Sequence, residues 1–205
     1  MPRSRFDELV ALAEDNDGLV TAEQARQADF TDSVLTRLAQ RGKIERMARA
    51  VYRIPYFPPG RFARCREAVL WAKANRGPES VAISHDTALA VYGISDANPH
   101  QIHLAVPKSS RLRRRKPKDV VVHYEDITWK DITVHEGIPL TTISRTVTDL
   151  LDSHARLDLV RQAIDDAHRE GLIRDTDAKR LRKQVQCHIK SLRTQRPARQ
   201  RSHNV

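Results

Sequence analysis

The stretch Thr31-Asp32-Ser33-Val34-Leu35-Thr36-Arg37-Leu38-Ala39-Gln40-Arg41-Gly42-Lys43-Ile44-Glu45-Arg46-Met47-Ala48-Arg49-Ala50-Val51-Tyr52-Arg53 changes period midway, and that change decides the fold. Leu35 and Leu38 share one helical face, flanked by Val34 and Ala39. Ser33, Thr36, Arg37, Gln40 and Arg41 lie largely on the other side. Gly42 supplies the left-handed residue that stops a helix. Beyond it, 44–47 and 51–54 read as two short strands around Ala48-Arg49-Ala50. Upstream, Phe6, Leu9, Val10, Leu12 and Ala13 recur at helical spacing, with Ser4 as cap and Asn16-Asp17-Gly18 as terminator. Thr21 and Gln24 have capping-box spacing and open a short second helix that ends near Ala28. A three-residue connection, Asp29-Phe30-Thr31, leads into the third. Three helices followed by a basic hairpin make a winged helix-turn-helix over 1–56.

Charge sharpens this reading. The chain of 205 residues has 36 Lys and Arg against 26 Asp and Glu, a net charge of +10. Residues 6–36 carry eight acids and one base, Arg26, whereas 37–53 carry six bases and one acid, Glu45. Such segregation favours a binding face for a polyanion over a merely solvated surface. The candidate DNA contacts are Ser33, Thr36, Arg37, Gln40, Arg41 and Lys43 on and after the third helix, and Arg46, Arg49 and Arg53 on the hairpin. The structural alternative is a three-helix protein-interaction module.

Tyr56-Phe57-Pro58-Pro59-Gly60 is a breaker cluster and the expected linker. After it, 61–75, 85–92, 144–152, 157–170 and 176–189 read as helices. Residues 80–83, 102–106, 120–124, 132–135 and 138–142 read as strands. The fold class is therefore α+β, with a second domain over 61–190 built on a small antiparallel sheet. Between its middle strands lies Arg111-Leu112-Arg113-Arg114-Arg115-Lys116-Pro117-Lys118. Its six cations read either as a second patch for nucleic acid or a partner, or as a solvated hairpin loop. Residues 191–205 are expected to form a basic, disordered tail.

Several classes are excluded by composition. No run approaches the ~20 apolar residues of a membrane span, and the first residues have no apolar signal-peptide core. The cysteines, Cys65 and Cys187, make no disulfide framework. A soluble protein of the cytoplasm, associated with the nucleoid, is expected. No nucleotide-binding, nucleophile-elbow or zinc-protease motif is present. His85, His100, His103, His123 and His135 cluster in the middle of the second domain. None has ligand-pair spacing with carboxylate support, so they read as ordinary strand and cap residues, with no metal or cofactor. Ser84-His85-Asp86 cannot form a triad because adjacent side chains diverge, and Ser84 reads as a helix cap. Arg145 and Asp149 read as an i,i+4 pair on a helix surface.

The order of these segments resembles the AbiEi-type antitoxins and transcriptional regulators. The resemblance is carried by Gly42-Lys43-Ile44-Glu45-Arg46, Arg49-Ala50-Val51-Tyr52-Arg53 and Ala82-Ile83-Ser84-His85-Asp86-Thr87-Ala88-Leu89-Ala90-Val91-Tyr92-Gly93. It continues through Ile102-His103-Leu104-Ala105-Val106-Pro107, Gly137-Ile138-Pro139-Leu140-Thr141-Thr142 and Arg145-Thr146-Val147-Thr148-Asp149-Leu150. The resemblance implies a non-enzymatic repressor that binds double-stranded operator DNA, autoregulates its operon and opposes a nucleotidyltransferase-like toxin. The second domain would then carry the antitoxin activity, or dimerise the protein on a palindromic site. Longer relatives continue into a nuclease-like domain, so a nuclease-related DNA-binding protein is one alternative. A general winged-helix regulator without a toxin is another. In the family the hairpin usually reads Arg-Gly-Val-Tyr, and Ala50 here replaces the glycine. If the position requires positive φ, alanine costs about 1 kcal/mol or more there; otherwise the turn type differs.

Overall fold

The computed structural model describes residues 4–14, 16–58, 60–74, 80–113 and 115–194. The chain opens with α1 (Arg5–Glu14), β1 (Leu19–Thr21), α2 (Ala22–Gln27) and α3 (Asp32–Gln40), followed by β2 (Glu45–Ala48) and β3 (Val51–Arg53). Thr21 caps α2 by the expected reciprocal box: its hydroxyl accepts from Gln24 N at 3.1 Å, while Gln24 Oε1 accepts from Thr21 N at 2.9 Å. Gly42 has φ +68 and ends α3 as expected.

The hairpin acquires a third strand that periodicity did not reveal. β1 pairs antiparallel with β3 from Leu19↔Arg53 to Thr21↔Val51, giving the sheet order β1-β3-β2. All of β1 is buried, so its three residues show no alternation to read. A bulge at Met47 shifts the register of β2 on β3. Leu9, Leu19, Phe30, Leu35, Ile44, Val51 and Ile54 form the core beneath these elements.

The remainder comprises α4 (Ala63–Lys73), β4 (Ala82–Ile83), α5 (His85–Tyr92), β5 (Ile102–Pro107), β6 (Val120–Glu125), β7 (Ile132–His135) and β8 (Ile138–Thr141), then α6 (Ile143–Asp152), α7 (Leu157–Arg169) and α8 (Asp175–Thr194). The second sheet has the order β6-β5-β4-β8-β7. It is mixed, which corrects the antiparallel expectation. β4 with β5 and β7 with β8 are antiparallel, but β5 pairs parallel with β6 and β4 parallel with β8. The segment 108–119 is therefore a crossover between parallel neighbours, not a hairpin loop. It has about the dozen residues such a connection needs. Ile83, Leu104, Ile138 and Leu140 face the helices, joining Val69, Leu89, Val147, Ile164 and Leu181 in the main core. Ala82, Ala105 and Ile127 form a smaller cluster on the opposite face, as strand alternation requires.

α8 runs five residues past the expected end at 189 and includes 191–194, so the helix enters the segment assigned to the tail. The rest of that tail, 195–205, lies outside the described residues.

α4 ties the two ends of the structure together. Arg66 Nε donates to Asp17 Oδ2 at 2.6 Å, and its NH2 donates to the Glu136 carbonyl at 2.9 Å. Glu67 sits 3.5 Å from Arg53.

Candidate functional site

The third helix is positioned by its cap: Thr31 Oγ1 accepts from Val34 N at 3.4 Å and contacts Ser33 Oγ at 2.8 Å. Burial of Leu35 turns the opposite face outward, leaving Ser33, Thr36, Arg37 and Gln40 exposed. Thr36 Oγ1 donates to the Asp32 carbonyl at 2.8 Å, so that hydroxyl is already engaged by its own helix. Arg41, Lys43, Arg46 and Arg49 are exposed as well. Among the described residues, no acid lies within ion-pair distance of Arg37, Arg41, Lys43, Arg46 or Arg49. Five cations on adjoining elements are thus free to attract phosphate.

Arg53 differs from this group. Its side chain is only 24% exposed and points to Glu67 on α4. The structure gives it a tethering role that its place in a basic hairpin did not indicate. Ala50 has φ +64, so alanine occupies the left-handed conformation that the missing glycine anticipated. Its carbonyl accepts from Ala22 N at 2.9 Å and thereby docks the hairpin turn on α2.

The basic crossover is largely solvent-facing: Arg111, Arg113, Arg115, Lys116 and Lys118 are exposed, and Arg114 lies outside the described residues. Leu112 packs on the main core and its N–H reaches Tyr124 Oη at 3.4 Å, so the segment is anchored between its cations. Asp119, at its end, pairs with Arg64 at 2.6 Å.

Arg145 and Asp149 do pair, at 2.5 Å, but not on a surface. Asp149 is 2% exposed. Arg145 also donates to Glu125 Oε2 at 2.8 Å and to the Asp126 carbonyl at 2.8 Å, linking α6 to the end of β6. Burial pushes the Asp149 carboxyl up to about 6, against the opposing pull of the Arg145 guanidinium. The expected surface pair is therefore a buried ionic anchor. Amphipathic packing of α6, with Val147, Leu150 and Leu151 inward, turns Asp149 the same way.

Three of the five singled-out histidines converge. His103 and His123 stand on the same face of the parallel β5–β6 pair, offset by two residues because His103 lies opposite Val121 and Ala105 opposite His123. His85, at the start of α5, completes the group. His103 Nδ1 lies 3.0 Å from His123 Nε2, and the His85 and His123 rings stack at 3.8 Å. One nitrogen from each ring falls within 4.8 Å of the others. Burial, with neighbouring histidines, lowers the His85 imidazole to about 3 and the His123 imidazole to about 4, and burial lowers His103 too. All three are neutral donors at neutral pH. Ser84 precedes α5 but makes no side-chain cap bond; its Oγ contacts His85 Nδ1 at 3.0 Å instead. Sequence spacing missed this group because 18 residues separate His85 from His103 and 20 separate His103 from His123. Only the parallel pairing brings them together. His100 and His135 lie outside it.

The exposed basic face of helix and hairpin belongs to a class of surface suited to nucleic acid. Residues 7–55, the segment that builds it, match the family described as transcriptional regulator, AbiEi antitoxin. This bears out the resemblance over that segment. No curated protein matches the chain. Among solved structures, the chain is similar to RV2827C protein from Mycobacterium tuberculosis, at a TM-score of 0.49 and 16% identity, over 85% of this chain and 69% of that one. No helix among the described residues is long and apolar enough to cross a membrane.

Proposed function

We propose that the protein is a DNA-binding transcriptional repressor whose N-terminal segment acts as a winged helix-turn-helix. α3 enters the major groove, where Ser33, Arg37, Gln40 and Arg41 meet base edges and phosphates. Lys43, Arg46 and Arg49 meet the flanking backbone. The observation that carries this reading is the set of five exposed cations without acidic partners among the described residues, on the segment that matches a regulator family. In the same reading the protein autoregulates its operon, binds a palindromic site as a homodimer, and opposes a nucleotidyltransferase-like toxin without catalysis of its own. The α+β part, 61–190, supplies the antitoxin function, and the basic crossover at 111–118 supplies a second contact.

Titrating the full chain against duplexes tiled across its own promoter tests the first claim. One duplex is expected to bind at least about a thousandfold more tightly than the others at physiological salt. Equal binding to all of them refutes sequence-specific repression. Co-expression with a nucleotidyltransferase-like protein from the adjacent reading frame tests the second: growth is rescued by the full chain, including a variant that no longer binds DNA. Loss of rescue in that variant places neutralisation at the promoter instead.

A further inference from the structure

We infer that His85, His103 and His123 form a binding site for one divalent first-row transition metal, tested as zinc(II). The site would lie on the sheet face opposite the main core. Three features of the group point to a ligand beyond packing. First, a strand face in this position is otherwise lined by Ala82, Ala105 and Ile127. The His85 imidazole there is 3% exposed, a withdrawal from water that an apolar side chain would undergo at no cost. Second, His85 has φ +52, a conformation that costs a non-glycine residue about 1–2 kcal/mol. Third, three nitrogens converge from separate elements with no carboxylate among them.

The nitrogen spacing is close to what zinc requires, and the stacked rings, at 18° for His85–His123 and 20° for His103–His123, turn to aim their in-plane lone pairs at one ion. At a metal–nitrogen distance of about 2.0–2.1 Å, tetrahedral ligands stand roughly 3.3 Å apart. His103 Nδ1 and His123 Nε2 already lie 3.0 Å apart, and the whole group fits within 4.8 Å. Closing the widest gap takes a side-chain shift of about 1.5 Å at most, which the partly buried rings of His103 and His123 can supply by rotation. Ser84 Oγ, fully buried, lies 3.0 Å from His85 Nδ1, and in the tautomer where it accepts the Nδ1 proton the lone pair is on Nε2. This is the tautomer control that outer-shell partners give metal-binding histidines. A set made only of imidazoles suits zinc, copper, nickel or iron, and gives magnesium and calcium none of the oxygens they need. Three protein ligands leave the fourth position of a tetrahedral ion open to water or to a partner's side chain.

The test uses untagged, chelator-stripped full-length protein. Zinc(II) is titrated in competition with a chromophoric chelator, and cobalt(II) is followed by its visible spectrum. One equivalent per chain is expected, with nitrogen-and-oxygen-type d–d bands and no thiolate charge-transfer band, which separates the site from Cys65 and Cys187. Magnesium and calcium do not compete. His103→Asn and His123→Gln each lower zinc affinity about 100-fold or more, while Cys187→Ser leaves it unchanged. Far-ultraviolet circular dichroism checks that the variants are folded. Zinc raises the melting temperature of the parent and not of either histidine variant. Absence of zinc uptake by the parent at micromolar metal overturns the assignment. So does uptake that survives both histidine variants, or that disappears with Cys187→Ser.

Discussion

Replacing Arg37, Arg46 and Arg49 together by glutamine has a calculable effect on how DNA affinity responds to salt. Each phosphate neutralised by a cation contributes a slope of about −0.9 to log K against log salt. Under the proposed function, one phosphate at each of Arg37, Arg41, Lys43, Arg46 and Arg49, which have no acidic partner among the described residues, gives about −4.5 per chain, or roughly a 500-fold loss between 50 and 200 mM salt. The triple variant keeps two of the five, so its slope becomes shallower by about 2.7, and the loss from this face shrinks to roughly 12-fold. All other bases are retained, including those of the crossover, so the difference between the two proteins isolates this face. Arg53→Gln is the internal control. That guanidinium is committed to Glu67, so the slope stays unchanged while stability falls by about 1 kcal/mol. Fluorescence anisotropy of a labelled promoter duplex at five or six salt concentrations reads both quantities. If Arg53→Gln flattens the slope as much as each of the other three does, or if the triple variant keeps the parental slope, the assignment of the phosphate-binding face is wrong.

Other perturbations reach the fold itself. Arg145→Ala leaves the buried Asp149 carboxylate without its cation and is expected to cost about 3–5 kcal/mol in denaturant unfolding; a loss under 1 would mean that α6 is not anchored there. Burial raises the Asp149 carboxyl from an ordinary 3.8 to about 6, so the folded state holds the proton more tightly. The stability this contributes is complete at low pH and disappears as pH rises through about 6. Measured against Asp149→Asn, it should decline by about 2–3 kcal/mol between about pH 4 and pH 6.5 and then level off. At Ala50, glycine should change stability by less than about 1 kcal/mol, because relief of the left-handed strain is offset by a more flexible unfolded chain. Ala50→Val should cost about 2 kcal/mol or more in the same unfolding assay, and a well-tolerated valine would contradict the positive φ.

Features set by short-range rules were legible in the residues alone. The Thr21–Gln24 box, the glycine stop at Gly42 and the outward face of α3 follow from spacing within a single turn or two. The positive φ of Ala50 was legible only as one of two alternatives, the other being a different turn type, and only through the glycine of the family it resembles. Features set by strand pairing were not. Nothing local states that β6 runs parallel to β5 instead of folding back on it, and the histidine group depends wholly on that choice. Arg145 and Asp149 fall between these cases. Their i,i+4 spacing gave the pair, but its burial depends on what α6 packs against. Arg53 looked like its neighbours because a hairpin's charges say nothing about a helix arriving ten residues later.

α4 contributes to both apolar clusters: Ala68, Val69, Trp71 and Ala72 to one, Leu70 and the capping Ala74 to the other. A helix shared in this way couples the melting of the two regions. Separating them would uncover Leu70 and Ala74 on one fragment and open the floor of the other, so neither half can relax without loosening its neighbour. Calorimetry of the whole chain should then record a single endotherm. Chimeras made by exchanging the first 56 residues between relatives would succeed only when α4 travels with the segment it supports.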